Sequence, residues 1–257
     1  MPRFAANLSM MFTEHAFLDR FGAAAKAGFK AVEFLFPYEF PVEEIGARLK
    51  AHGLTQALFN LPPGDWAKGE RGLAALPGRE DEFRQSLAIA KPYAAITGVK
   101  RLHLMAGMVE KTPANLARYK DAITRTAETF GPDGIDILLE PLNRRDMPGY
   151  LLDDFGMAAE IIADLALPNV KLQFDIYHCQ ILHGDVTTRL RTMMPIIGHI
   201  QVASIPSRNE PGSEELNDAF LFAELDRLGY QGFIGGEYRP KAGTEAGLSW
   251  FAPYKNR

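Results

Sequence analysis

Short apolar runs alternate along the chain with longer segments of helical period. The runs are RFAANL at 3–8, AVEFLF at 31–36, TQALFNL at 55–61, RLHLMAG at 101–107, IDILLEP at 135–141, VKLQFDIYH at 170–178, GHIQVAS at 198–204 and GFIGGEY at 232–238. Most are apolar on successive residues, the pattern of strands covered on both faces. Between them, FLDRFGAAAKAG sets Phe17, Phe21, Ala24 and Ala25 on one helical face and ends at Gly28, a C-cap. DEFRQSLAIAKPYAAITG repeats Phe83, Leu87 and Ala90 at similar spacing, with Pro92 predicted to kink or restart the helix. NDAFLFAELDRLGY closes at Gly229.

Strand then helix, about eight times over 257 residues, predicts an α/β chain of parallel strands with helical crossovers. Count and length match a closed (β/α)8 TIM barrel, with a doubly wound open sheet as the alternative. No strong internal repeat or low-complexity linker breaks the pattern, so residues 1–257 are read as one catalytic domain.

A barrel of this kind does its chemistry at the C-terminal ends of its strands and in the loops that follow. Four consecutive strand ends carry a ligand-type group: Glu140, Asp175, Gln201 and Glu237. Asp175 is the oddest of them, a carboxylate amid Leu172, Phe174, Ile176 and Tyr177. Each acid alone is a plausible solvated strand end or a partner for an arginine. Together they would repel one another, so either their pKa values rise or a cation sits among them. An all-oxygen set suits Mg²⁺ or Mn²⁺. Zinc is disfavoured, because HExxH is absent and the lone Cys179 excludes a multi-thiolate site.

His178 closes the sixth run and is placed to hydrogen-bond a substrate oxygen, against the alternative of a structural histidine. His199, two positions before Gln201, points to the same side and is expected to be buried and hydrogen-bonded. His103 is read as a satisfied core histidine within a strand. Arg208, in the loop after the seventh run, is within reach of the site and suits a carboxylate or hydroxyl. The Gly- and Pro-rich loop NLPPGDWAKGERG at 60–72 carries Trp66, Glu70 and Arg71, and reads as a lid, a pocket wall or an oligomer contact. Trp250 lies in a tail expected to pack late in the barrel or at an interface. No phosphate-cradling glycine motif and no GxSxG elbow occurs.

Composition narrows the function classes. An apolar content of 47% is ample for a core, and a net charge of -4 disfavours a nucleic-acid partner. One cysteine allows no intrachain disulfide and fits a reducing cytoplasm. The first residues lack a signal-peptide pattern, and no apolar stretch approaches the ~20 residues of a membrane helix.

The motifs FAANLSMMF, AVEFLFPYEF, LFNLPPGDWAKGERG, LPGRE, LLEPLN, QFDIYH, GHIQVA, PSRNEPG, GEYRP and TEAGLSWFAPY resemble the hydroxypyruvate isomerase family, from residue 3 to about 254. That family belongs to the xylose-isomerase-like TIM barrels, which also include ketose 3-epimerases. The resemblance implies metal ligands at Glu140, Asp175, Gln201 and Glu237, with Glu140 and Glu237 as the acid/base pair. Gln201 stands where the ketose epimerases usually carry histidine. His178 and Arg208 match substrate-contacting positions. Trp66 and Glu70, from the 60–72 loop, are counted as substrate-binding with them, although the resemblance assigns neither Glu70 nor Arg71 a chemical role.

The implied reaction interconverts hydroxypyruvate and tartronate semialdehyde, or a 2-oxo-tetronate analogue, through an enediolate. A ketose 3-epimerase is the alternative, since it uses the same enediolate. A DNA-repair endonuclease needs a His-rich zinc site and a basic face. A non-catalytic binding barrel is disfavoured by the retention of both glutamates. A cytoplasmic homo-oligomer acting on a small molecule, with no membrane partner, is expected.

Overall fold

The eight apolar runs become eight parallel strands that close on themselves in chain order. They are β1 (Arg3–Asn7), β2 (Ala31–Phe34), β3 (Thr55–Asn60), β4 (Arg101–His103), β5 (Asp136–Leu139), β6 (Val170–Asp175), β7 (Ile197–Val202) and β8 (Phe233–Gly236). This is a computed structural model, and it describes residues 1–255. The open-sheet alternative is excluded by the pairing of β1 with β8.

Helices cover the outside: α1 (Phe17–Ala27), α2 (Val42–His52), α3 (Glu80–Thr97), α4 (Pro113–Phe130) and α5 (Phe155–Leu165) follow the first five strands. Both α6 (Ile176–Leu182) and α7 (Val186–Met193) lie between β6 and β7, and α8 (Asp218–Arg227) precedes β8. Each buried Phe or Leu of the helix–barrel layer contributes about 1.5–3 kcal/mol, and one apolar cluster runs through the whole of it. The chain after β8 forms only 3-10 turns, Glu245–Trp250 and Ala252–Tyr254. There Trp250 packs edge-on against Phe4 and Phe251 stacks on Phe29 at 4.0 Å, so the tail closes the outer layer beside β1.

Two expectations are corrected. Pro92 does not restart the helix, because α3 runs through it without interruption. Pro92 and Ala88, whose carbonyl loses its helical partner, are both exposed, so the loss falls on the solvent side of the helix. The sixth strand stops at Asp175, which caps α6 by accepting the Tyr177 amide at 2.8 Å. Tyr177 and His178 are therefore helical, not strand residues.

Candidate functional site

Strand register sets the expected ligands at the C-terminal ends of four neighbouring strands. Asp175 pairs with Gln201, and Gln201 with Gly235, two residues before Glu237. Glu140 follows the last residue of β5. All four side chains are buried. Burial is the largest cause of a shift in each acid. It drives Glu140 well above the ordinary carboxylate range, reinforced by the charges of Glu237 and Asp175. It raises Glu237 to about 8 and Asp175 to about 6, with Arg208 opposing both shifts.

The structure brings Arg208 into the centre of the acids, itself buried. Nη2 bonds to Oε2 of Glu237 and lies 3.4 Å from Oδ2 of Asp175. The guanidinium carbon lies 4.7 Å above the centre of the Tyr177 ring. Arg208 has φ 57, a left-handed conformation that costs a residue bearing a Cβ. Backbone bonds to Ser204 and Arg239 hold it there, at 3.0 and 2.7 Å. The arginine is thus the site's resident counter-charge.

His178, in the first turn of α6, is fixed by chemistry that the sequence does not display. Its Nδ1 accepts the backbone N–H of Asn143 at 3.0 Å. Burial holds the ring well below its ordinary pKa, so it is neutral. A neutral ring that accepts at Nδ1 carries its proton on Nε2. That Nε2–H lies 3.6 Å from Asp175 and faces the site as a donor.

His103 is not the satisfied core residue expected. It ends β4 and lines the cavity, and neither ring nitrogen has a hydrogen-bond partner among the described residues. Nδ1 lies 3.4 Å from Oε2 of Glu140, and burial pushes the ring down to about 3. Reading the fourth strand four residues too long hid this strand end.

A second buried layer supports the first. Glu33 accepts from Asn7 Nδ2 at 3.0 Å and from Gln201 Nε2 at 2.8 Å, and lies 2.7 Å from His199 Nε2. Asn7 also reaches Oε1 of Glu237 at 3.1 Å. His199 is fully buried and hydrogen-bonded. Neither Glu33 nor Asn7 was singled out in the sequence, although a glutamate inside an apolar run carries the same signal as Asp175. Gly235 makes room for the layer, since a Cβ there would lie 2.3 Å from the Glu33 carboxylate oxygens.

These groups open into a cavity of about 340 Å³, at the small end of the ~300–1,000 Å³ of ligand pockets. Met10, Leu35, Met105, Leu142 and Met147 form its apolar wall, with Glu140, His178, Arg208 and Glu237. Trp66 and Arg71 line it from the 60–72 loop. Glu70 does not. Its carboxylate is turned into the loop, held by Arg79 at 2.7 Å and by the Asp65 amide at 2.6 Å.

The donor set fits a hard divalent cation. Oε1 of Glu140 is buried with no hydrogen-bond partner among the described residues. Potential ligand atoms of Glu140, Asp175 and His178 lie within 4.8 Å of one another, although the tautomer of His178 removes its lone pair from that set. Gln201 and Glu237 are engaged: Oε1 of Gln201 accepts from Gln173 at 2.5 Å, and Glu237 bonds to Arg208. An ion held by all four expected ligands would take the place of those bonds.

Comparison with known proteins agrees with the geometry. Residues 21–254 match the model of the xylose isomerase-like TIM barrel family. The 2-oxo-tetronate isomerase of Cupriavidus necator is 54% identical over 261 residues, covering 100% of both chains. The hydroxypyruvate isomerase of Escherichia coli is 42% identical over 261 residues, covering 99% of this chain and 100% of its own. A solved structure described as an AP endonuclease, family 2, from Brucella melitensis superposes with TM-score 0.98 at 48% identity, covering 100% of both chains.

Proposed function

Because this chain belongs to the xylose isomerase-like TIM barrel family, and within it to the hydroxypyruvate isomerase group, we propose that it isomerises a small 2-oxo acid, hydroxypyruvate or a 2-oxo-tetronate, by proton transfer between adjacent carbons. One observation carries the reading: two buried glutamates, Glu140 and Glu237, face one cavity with different electrostatic partners. Glu237 has Arg208 against it and is the more readily ionised. Glu140 has no lysine or arginine within 4.0 Å among the described residues, and holds its proton more strongly. Paired groups whose pKa values are pushed apart divide into base and acid.

On this reading Glu237 takes a proton from C3 of hydroxypyruvate. The electron pair of the C–H bond forms the C2–C3 double bond of the enediolate. Glu140 delivers a proton to C2 as the C2–C3 double bond is lost, the C3 hydroxyl gives up its proton to the oxygen on C2, and C3 becomes the aldehyde of tartronate semialdehyde, with C2 carrying the hydroxyl. Nε2–H of His178 donates to the oxygen on which negative charge develops, the interaction that strengthens most at the transition state. Positioned acid and base groups contribute about 10²–10⁴-fold. A Mg²⁺ or Mn²⁺ ion, which Glu140, Asp175, Gln201 and Glu237 would hold, would add Lewis-acid polarisation of the substrate carbonyl.

The net charge of -4 and the small cavity support a metabolite over a nucleic acid. None of the described helices is long and apolar enough to cross a membrane. A cytoplasmic homo-oligomer remains part of the proposal. It is supported by the buried free thiol of Cys179, and by Ile89 and Ile96, exposed on one face of α3.

The test is proton NMR of the Mn²⁺-loaded protein in D₂O with hydroxypyruvate, and separately with D-fructose and L-ribulose. Tartronate semialdehyde from hydroxypyruvate, with both ketoses untouched, is the expected result. Deuterium at C3 of a ketose with hydroxypyruvate unchanged would make the protein a ketose 3-epimerase.

A further inference from the structure

Three arginines line the cavity, and they differ in what already holds them. Arg208 is bonded to Glu237 and lies against Asp175, so its charge is spent on the site's own acids. Arg239 is exposed. Arg71 is half-buried, and among the described residues no carboxylate lies within ion-pair distance of it. Its Nη1 donates to the carbonyl oxygens of Trp66 at 3.1 Å and Glu70 at 2.7 Å. The guanidinium carbon sits 3.7 Å from the centre of the Trp66 ring.

This arrangement leaves one edge of the guanidinium open. Nη1 is tethered to the loop and one face is covered by the indole, while Nε and Nη2 make no hydrogen bond among the described residues. Those two N–H groups are spaced for the two oxygens of a carboxylate. The neighbouring acid does not compete, because Glu70 is bound by Arg79 and the Asp65 amide. The loop is anchored as well: Gly72 donates to Pro63 at 2.8 Å and Ala75 to Ala106 at 2.9 Å. Gly72, at φ 114, also packs so closely on Met105 that a Cβ would lie 2.2 Å from that residue's carbonyl oxygen.

We propose that Arg71, stacked on Trp66, is the receptor for the substrate carboxylate and the residue that selects 2-oxo acids over neutral ketoses. This rests on the 2-oxo acid reading above. Anchoring the C1 carboxylate at the loop directs C2 and C3 towards the glutamates. A neutral ketose offers Arg71 no charge to pair with.

The experiment is calorimetric binding of D-glycerate, a carboxylate that cannot be isomerised, to the wild type, Arg71→Gln and Arg71→Lys, with dihydroxyacetone as the neutral comparison. Arg71→Gln is expected to weaken D-glycerate about 50-fold, the scale of a charge-assisted bidentate pair. Arg71→Lys should recover part of that loss, because it keeps the charge without the fork. Dihydroxyacetone binding should be equal in all three, and with hydroxypyruvate the loss in Arg71→Gln should fall on KM more than on kcat. Circular dichroism of each variant checks the fold. Unchanged D-glycerate affinity in both variants, or no D-glycerate binding by the wild type, overturns the proposal. A wild type that binds D-glycerate through Arg71 but isomerises no 2-oxo acid would overturn the functional reading and leave the carboxylate receptor standing.

Discussion

Nη2 of Arg208 bonds to Oε2 of Glu237, while Glu140, which faces the same cavity, has no lysine or arginine within 4.0 Å among the described residues and lies 3.4 Å from the neutral His103. The two glutamates differ in charge environment more than in burial. Without an ion, burial raises the pKa of Glu237 to about 8, so in chelator its carboxyl should titrate well above the ordinary carboxylate range when followed by carbon NMR. Arg208 opposes that rise. Arg208→Gln should therefore move the titration to higher pH. A titration that stays in place or falls would separate Arg208 from the ionisation of Glu237.

The same guanidinium occupies Asp175 and Glu237, so it would compete with an ion held there as proposed. Removing one cation from an acid cluster strengthens the binding of another. Arg208→Gln is expected to bind Mn²⁺ about tenfold more tightly by calorimetry, and Glu140→Gln more weakly than wild type. Tighter binding in Glu140→Gln, or weaker binding in Arg208→Gln, would remove Glu140 and its neighbours as the ion's ligands.

Glu140 should also cost the fold stability. Its folded pKa is raised, so between its unfolded value near 4.5 and its folded value the native state binds more protons than the unfolded chain. Stability then falls as pH rises through that window and stays low above it. In chelator, Glu140→Gln should melt about 2–5 °C higher than wild type at neutral pH, with the difference shrinking towards pH 4.5. A variant that melts lower than wild type at neutral pH would contradict the sign.

Much of this was legible in the residues, because strand runs and strand-end acids are local signals. The runs containing Glu140, Asp175, Gln201 and Glu237 are apolar enough that each polar residue stands out. What escaped depends on long-range geometry. The role of Glu33 requires β2 and β7 to face each other across the barrel. The tautomer of His178 is set by a backbone amide 35 residues earlier. Glu70 and Arg71 are adjacent, and only the folded loop turns one towards Arg79 and the other to the cavity. That the helix continues through Pro92 depends on which of its faces meets water, which the local sequence does not display.

Gly235 and Glu33 should behave as a coupled pair. Gly235→Ala puts a methyl 2.3 Å from the Glu33 carboxylate, and overpacking of this kind costs about 1–3 kcal/mol. Displaced, Glu33 would release Gln201 directly and Glu237 through Asn7, so kcat/KM should fall about tenfold. Adding Glu33→Ala to Gly235→Ala relieves the clash but not the lost bonds. Stability should partly return while activity stays low. Additive effects of the two substitutions on melting would show that they do not meet.

The division of labour between the glutamates is open to a direct isotopic test. If Glu237 is the base towards hydroxypyruvate, Glu237→Gln abolishes both isomerisation and exchange of the C3 protons with D₂O. Glu140→Gln loses the acid that protonates C2, but Glu237 can still remove and return a C3 proton. It should therefore incorporate deuterium at C3 while forming tartronate semialdehyde at least about 10²-fold more slowly. Both variants exchange one carboxyl for an amide of the same shape, so the barrel should remain folded by circular dichroism. Exchange retained in Glu237→Gln and lost in Glu140→Gln would reverse the two roles. Near-normal turnover in both would take the proton transfers away from this pair.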